Sequence, residues 1–343
     1  MHSDLSSGSG FSPVAYELAR CHVCGGAETD ELASAAGVRD EMELLWEFHT
    51  RRVHGDSPPE KLLDRAAFSE RPPVRVVRCR ECGLVYRNPQ EKARELHAAY
   101  ESEDGLDTTI LEALHKTQRR SYRAQARRLS AVAGLAGSGL EVGSYVGAFL
   151  AAARADDWRF EGVDINPAAV RFAQGKGFTV TEGSIDAIAP TRRFDAVAIW
   201  NCLDQLADPR HVIARARMLL APRGVLAIRV PNGEAYARWR DTAVNGRLGH
   251  SVARMVLAHN NLLTFPYRYG FTLRALKRLL RDAGLETVRI HGDTLVPIAD
   301  AYTRRWAGAE EKLVKGALRM ARRLRITGAN SAPWIEVYAR ARQ

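Results

Sequence analysis

The chain has 343 residues, a little over two domains at about 150 residues each, and is long enough to bury a substantial core. Hydrophobic residues make up 46% and charged residues 26%, ordinary globular usage that excludes a mini-protein, a disordered chain, collagen and a coiled coil. The 50 Lys+Arg against 40 Asp+Glu give a net charge of +10, which makes an acidic partner worth seeking, and five cysteines are too few for a disulfide scaffold.

The opening MHSDLSSGSGFSPV carries neither the basic nor the apolar region of a secretion signal, and no run of about 18 apolar residues follows. A cytoplasmic protein without a membrane span is expected. Four of the cysteines then fall in two pairs, Cys21-His22-Val23-Cys24-Gly25 and Cys79-Arg80-Glu81-Cys82-Gly83. In a tight turn a C-x-x-C step brings two thiolates to one metal, and the following glycine permits close backbone approach to sulfur. Cys21, Cys24, Cys79 and Cys82 therefore read as the Zn2+ ligands of a structural ribbon. The 54 residues between the pairs exceed the ~15–20 of a compact ribbon and predict an insertion over 31–73. Its pattern is helical: Met42, Leu45, Trp46, His49 and Val53 share one face, and Ser57-Pro58-Pro59-Glu60 caps a second helix at Lys61-Leu62-Leu63. His49 and His54, in a stretch rich in Trp and Leu, read as packing residues.

Beyond Asn88-Pro89, helices are expected over Glu91–Tyr100 and from about Thr109 to Val132, before a break at Gly134, Gly137, Ser138 and Gly139. From Leu140 strands and helices alternate, with strands at 140–143, 160–165, 179–181, 194–200 and 225–230 and helices at 148–155, 167–174 and 209–220. Asn166-Pro167 and Asp208-Pro209 each supply an N-cap and a proline at the first helical position. Thr272 caps a further helix that ends before Gly284, and strands at 286–291 and 334–338 come last. This alternation defines an α/β fold, a doubly wound, mostly parallel sheet of seven strands. The expected organisation is a zinc-ribbon module over 1–100, a helical connector over 101–137 and a sheet domain over 138–343 that includes a basic helix at 303–326.

The first strand of this sheet runs into a glycine-bearing turn, Leu140-Glu141-Val142-Gly143-Ser144-Tyr145-Val146-Gly147, which opens directly into a helix as at a nucleotide-cofactor site. Asp164 ends the second strand, 23 residues after Glu141, where its carboxylate can accept both hydroxyls of a ribose. Gly183-Ser184-Ile185-Asp186 follows strand three, and Asn201 follows strand four. On these residues the chain resembles the class I S-adenosylmethionine-dependent methyltransferases from about Gly139 to His291, with 334–338 matching the reversed strand of their Rossmann-like sheet. The resemblance implies S-adenosyl-L-methionine as cofactor. It places Glu141, Gly143, Ser144, Tyr145 and Gly147 around the methionine part, Asp164 at the ribose, and Ile165, Ser184 and Ile185 at the adenine. Asn201, Cys202 and Leu203 face the sulfonium in the same resemblance. The family's usual middle glycine is Tyr145 in this turn, and its frequent Glu-His pair after strand four is Asp204-Gln205.

The segment Cys79 to Pro89 is also similar to the ribbon that precedes the catalytic domain of bacterial sugar and natural-product methyltransferases, including C-methyltransferases of nucleotide-linked deoxysugars. That likeness implies a small-molecule acceptor. No Asn-Pro-Pro-Tyr motif ends strand four and no proline precedes Cys202, which leaves in-line transfer to an oxygen, nitrogen or carbon nucleophile with removal of a proton. His259, in the polar and aromatic segment His259 to Gly270 expected to border the pocket, is the first candidate base, with Asp204 and Tyr267 behind it. The helix at 303–326 carries Trp306, Leu313, Val314, Ala317, Leu318, Ala321 and Leu324 on one stripe amid eight Lys/Arg. The stripe is expected to pack on the domain with the charges solvated; a weak membrane-surface contact is its other use, and a homodimer is left open. Charge is uneven, −3 over 1–100, +2 over 101–230 and +11 over 231–343, which favours an anionic acceptor over RNA gripped by the ribbon. An RNA methyltransferase and a catalytically silent binding protein are the rival readings.

Overall fold

The computed structural model describes residues 16–55, 74–94, 108–246, 249–262, 268–295, 302–324, 326 and 328–342. In chain order its N-terminal part holds β1 (Tyr16–Glu17), β2 (Thr29–Ala33), α1 (Ala35–Thr50), β3 (Arg75–Cys79), β4 (Val85–Asn88) and β5 (Gln90–Glu91). Then come α2 (Thr108–Ala133), β6 (Ser138–Val142), α3 (Ala148–Arg154), β7 (Arg159–Asp164), α4 (Pro167–Gly175), β8 (Val180–Glu182), β9 (Phe194–Trp200), α5 (Pro209–Leu219) and β10 (Leu220–Pro231). The remainder is α6 (Gly233–Asn245), α7 (His250–His259), β11 (Tyr269–Gly270), α8 (Leu273–Asp282), β12 (Leu285–Asp293), α9 (Arg305–Arg323) and β13 (Trp334–Ala341).

Seven strands make the central sheet, in the order β12-β13-β10-β9-β6-β7-β8. Neighbours from β10 to β8 are parallel, while β13 runs antiparallel to β10 and β12, as the expected reversed strand requires. Along β9 the two-residue period sends Val197 and Ile199 to one face and Ala196, Ala198 and Trp200 to the other. The first face is covered by Ile213 and Leu219 of α5 and Leu276 and Leu280 of α8; the second by Tyr122 and Leu129 of α2 and Phe149 of α3. Helices on both faces are why these strands read as apolar runs. The helix starts follow the sequence too: Asn166, Asp208 and Thr272 accept from the backbone N–H of Ala169, His211 and Ala275 at 2.8, 3.0 and 3.1 Å.

A second, antiparallel sheet has the order β11-β4-β3-β2, so its fourth strand comes from far along the chain, with Tyr86 opposite Tyr269. Helix α1, capped by Ser34, packs Val38, Leu45 and Phe48 on Val76 and Val85 of this sheet and on Tyr236 and Leu257 of α6 and α7. His49 is buried beside Phe48, while His54 lies exposed beyond the helix. The second insertion helix, at 57–63, lies outside the described residues. Gln90–Glu91 forms a strand on β1, so the helix expected from Glu91 starts later, at Ala93; 95–100 lie outside the described residues. Among the described residues, no helix is long and apolar enough to cross a membrane.

Helix α9 corrects the expectation for the basic helix. Its domain-facing residues are Ala307, Glu311 and Lys315, with the Lys315 ammonium donating to Glu311, while Leu313 (73%) and Leu324 (64%) are exposed. The reason is what it lies on: Arg52 meets Glu310 at 2.6 Å and Asp293 meets Arg319 at 3.3 Å, so the surface beneath it is charged and selects polar residues.

Strand β11 approaches the start of α6 so closely that both sides are glycine. A Cβ on Gly233 would collide with the Gly270 carbonyl, and one on Gly270 would stand 2.9 Å from the Gly233 Cα. Gly233→Ala is expected to destabilise the fold by about 1–3 kcal/mol in thermal denaturation. Gly175→Ala, with nothing within 4 Å of its Cβ, should not destabilise it.

Candidate active site

The carboxyl ends of β6 and β9, adjacent parallel strands whose connections leave in opposite directions, form the topological switch point where doubly wound sheets bind ligands. The turn after β6 has Gly143 (φ 72°), Tyr145 (φ 43°) and Gly147 (φ 65°) in left-handed conformations. A side chain at Gly143 would come within 2.7 Å of the Cys202 thiol, so glycine lets this turn lie against the one after β9. Tyr145 takes the left-handed shape in spite of its Cβ, and its N–H donates to Asp164 Oδ2 at 2.7 Å. The strain is thus held by the acid at the end of β7.

Glu141 is fully buried, and burial followed by the neighbouring Asp164 charge raises its pKa well above the usual carboxylate range. Among the described residues, its Oε2 and the Ser144 hydroxyl have no hydrogen-bond partner. Burial also raises the Asp164 pKa, opposed by the backbone N–H groups of Asn166, Tyr145 and Ile165. A buried carboxylate oxygen short of a donor at Glu141, beside the Asp164 carboxylate, fits a ligand that carries an ammonium and two hydroxyls, as S-adenosylmethionine does.

Ser184 is exposed and caps a short 3₁₀ turn (Ile185–Ala187) by accepting from the Asp186 N–H at 3.2 Å. Ile185 and Leu203 are both buried in the cluster between the sheet and its helices. Ile165 is half-buried beside Asp164. Burial, then the carboxylates of Asp164, Asp204 and Glu141, push the Cys202 thiol up and keep it neutral.

Beyond β9 the three candidate bases fare differently. Asp204 has no exposed surface, neither carboxylate oxygen meets a donor in good hydrogen-bond geometry among the described residues, and its pKa is pushed up to about 8 by burial. The nearby Gln205 amide and Arg229 guanidinium offset that only in part. His259 ends helix α7, buried edge-on against the Phe48 ring at 4.9 Å with Nε2 3.3 Å from Glu310, and so belongs to the packing between α1, α7 and α9. Burial and the Arg52 charge lower its pKa. Tyr267 lies outside the described residues.

A polar network behind this end of the sheet escaped sequence reasoning. Asn201, also left-handed at φ 54°, donates to Tyr122 Oη at 3.0 Å and accepts from Arg229 at 2.9 Å. Arg229, entirely buried on β10, also donates to the Thr294 carbonyl and lies 3.6 Å from Glu336, which binds Arg128 at 2.6 Å and Gln125 at 2.9 Å. Arginine within a strand, in Ala227-Ile228-Arg229-Val230, was the available signal, since a buried guanidinium must be paired.

The four N-terminal thiols also converge. Cys21, Cys24, Cys79 and Cys82 lie with their sulfurs all within 4.8 Å of one another, three of the four residues being buried. The two knuckles match: Gly25 N–H donates to the Cys21 carbonyl at 2.7 Å and Gly83 N–H to that of Cys79 at 2.9 Å, with φ of 77° and 78°. A tetrahedral Zn2+ with Zn–S near 2.3 Å needs sulfurs about 3.8 Å apart, and the Cys21–Cys82 and Cys24–Cys79 separations of 3.4 and 3.5 Å approach this.

Sheet order, switch-point crevice and acidic strand ends together define a Rossmann-like methyltransferase. The sequence model of the methyltransferase-domain family matches residues 114–290, and the chain belongs to that family; it is an S-adenosylmethionine-dependent methyltransferase. Among solved structures it is similar to the 1,6-didemethyltoxoflavin-N1-methyltransferase of Burkholderia thailandensis (18% identity, TM-score 0.47, covering 79% of this chain and 96% of that one). It is also similar to the CcbJ methyltransferase of Streptomyces caelestis (17%, 0.44, 65% and 95%) and to the glycopeptide N-methyltransferase MtfA complexed with sinefungin (14%, 0.42, 64% and 87%). No curated protein matches the chain.

Proposed function

We propose that this methyltransferase acts on a small anionic acceptor, such as a nucleotide-linked sugar or natural-product intermediate, with Asp204 receiving the acceptor's proton. The observation that carries the reading is the pair of buried acids at the switch point, Glu141 with an oxygen short of a donor among the described residues and Asp164 holding the Tyr145 turn. The cofactor, when bound there, supplies an electrophilic methyl group. The chain's part is to hold the cofactor's ribose hydroxyls on Asp164 and its amino group on Glu141, and to take up a proton. Asp204 suits that last task because its pKa lies near neutral pH, where a base combines useful strength with a useful ionised fraction. The excess charge of +11 over residues 231–343 supports an anionic acceptor.

In the same proposal Cys21, Cys24, Cys79 and Cys82 hold a structural zinc ion, and the free thiols suit a reducing, cytoplasmic setting. Calorimetry with S-adenosylmethionine tests the cofactor site. Asp164→Ala should weaken binding by about ten- to a hundredfold, as expected for losing charge-assisted hydrogen bonds; unchanged affinity would refute the assignment.

A further inference from the structure

A small cleft lies between the cysteine-bearing sheet and the start of α6, lined by Arg87, Arg268, Tyr269, Gly270, Asn232 and Tyr236 among others. Its two arginines are out of water, 3% and 4% exposed. They also face each other across a strand pair: Arg87 N–H donates to the Arg268 carbonyl at 3.1 Å, which continues the Tyr86–Tyr269 register. Like charges placed directly opposite are destabilising, and so is a buried guanidinium without a partner.

The pairing among the described residues is incomplete. Arg87 lies 3.3 Å from Glu91, and Arg268 donates to Gln90 Oε1 at 2.7 Å. Arg87 Nε and Nη2, the edge that grips an oxyanion through two parallel bonds, have no hydrogen-bond partner, nor do Arg268 Nε and Nη1. Arg268 thus meets only a neutral amide, and Arg87 a single carboxylate, Glu91, whose own oxygens also lack a well-formed hydrogen bond; four guanidinium nitrogens are unfilled among the described residues. Unfilled buried donors of this kind call for a partner, an anion or a water, beyond the residues described.

We infer that Arg87 and Arg268 form a subsite for a phosphoryl group of the methyl acceptor. One planar carboxylate is filled by a single fork, whereas a phosphoryl group offers three oxygens to two forks arriving from different strands. The position relative to the chemistry is apt, because the Asp204 carbonyl accepts from both the Arg268 and Tyr269 N–H groups, at 3.0 and 3.1 Å. An acceptor anchored there is tied through backbone hydrogen bonds to the residue proposed as the base. The inference rests on the proposed small-acceptor methyltransferase reading and names the group that reading leaves open.

Inorganic pyrophosphate is the probe, titrated by calorimetry into the full chain with and without S-adenosylhomocysteine, at fixed ionic strength. Saturable binding is expected in both states, weakened about tenfold or more in Arg268→Gln and in the charge-retaining Arg87→Lys, which loses only the fork. Sodium acetate should not compete. S-adenosylhomocysteine affinity should match wild type in both variants, which also verifies their folding. Pyrophosphate affinity unchanged by both substitutions, or pyrophosphate displaced by S-adenosylhomocysteine, would overturn the subsite. So would a short RNA that binds more tightly than pyrophosphate with a steep salt dependence, since the groove would then serve a polymer. If S-adenosylhomocysteine itself fails to bind while pyrophosphate binding depends on Arg268, the anion site stands and the methyltransferase reading falls.

Discussion

Asp204→Asn is expected to lower kcat by about 10²–10⁴-fold, the usual contribution of a positioned base, and at the same time to make the protein more stable. The two effects share one cause. In the unfolded chain this carboxyl ionises near its ordinary 3.8, whereas burial moves it to about 8 in the fold. Between those values the folded state binds the extra proton, so stability is greatest below about pH 4 and is lost as pH rises towards 8. At pH 7 the penalty is on the order of a few kcal/mol, and a neutral amide of the same shape escapes it. Melting curves for the two proteins should therefore coincide near pH 4 and separate by several degrees at pH 8. Wild-type kcat should climb through about pH 8 as the base ionises. A variant that keeps its rate, or whose stability parallels wild type at every pH, would remove Asp204 from the mechanism.

Loss of the proposed metal should be as severe for the fold. Apparent binding energies of structural zinc in small peptides run to about 10–16 kcal/mol, comparable to or larger than the ~5–15 kcal/mol that holds a typical domain together. Purified protein is expected to carry one zinc per chain by metal analysis. Strong chelation, or Cys79→Ser, should unfold the β2–β3–β4 sheet and free α1, which packs on it. Because the acidic crevice is built on β6, β7 and β9, S-adenosylmethionine binding should outlast the loss of the cysteine-bearing sheet, while acceptor turnover should not. Full folding and an unchanged melting temperature without metal would show that the four thiols are merely packed together.

The sheet was legible because its signals are local. Asn166-Pro167, Asp208-Pro209 and Thr272 each announce a helix within four residues, and strands buried on both faces leave long apolar runs such as Val197-Ala198-Ile199-Trp200. The acids at strand ends were legible for the same reason, their spacing being set by one βαβ unit. What escaped depends on partners distant in sequence. Helices α6 and α7 are short amphipathic stretches whose buried residues, Tyr236 and Leu257, make sense only once α1 lies over them. His259 looked like a pocket base since a lone histidine among polar and aromatic residues carries no mark of the Phe48 ring and Glu310 carboxylate that enclose it. Arg229, Arg87 and Arg268 were invisible as interior residues because composition rules put arginine outside, and only tertiary geometry reveals which ones the core has enclosed. The α9 stripe misled for the opposite reason, its apolar side being exposed because the surface below is charged.

The pairing of β4 with β11 bears on how the chain is assembled during synthesis. Tyr86 waits for Tyr269, about 180 residues downstream, so the edge strand of the cysteine-bearing sheet cannot be supplied until most of the protein has left the ribosome. Until then β4 presents an open edge, the kind that recruits foreign strands. Closure of so long a loop is entropically slow, and the two glycines at the α6 contact must meet in the same event. Nascent chains stalled before residue 269 should consequently be richer in chaperone contacts than those released after it.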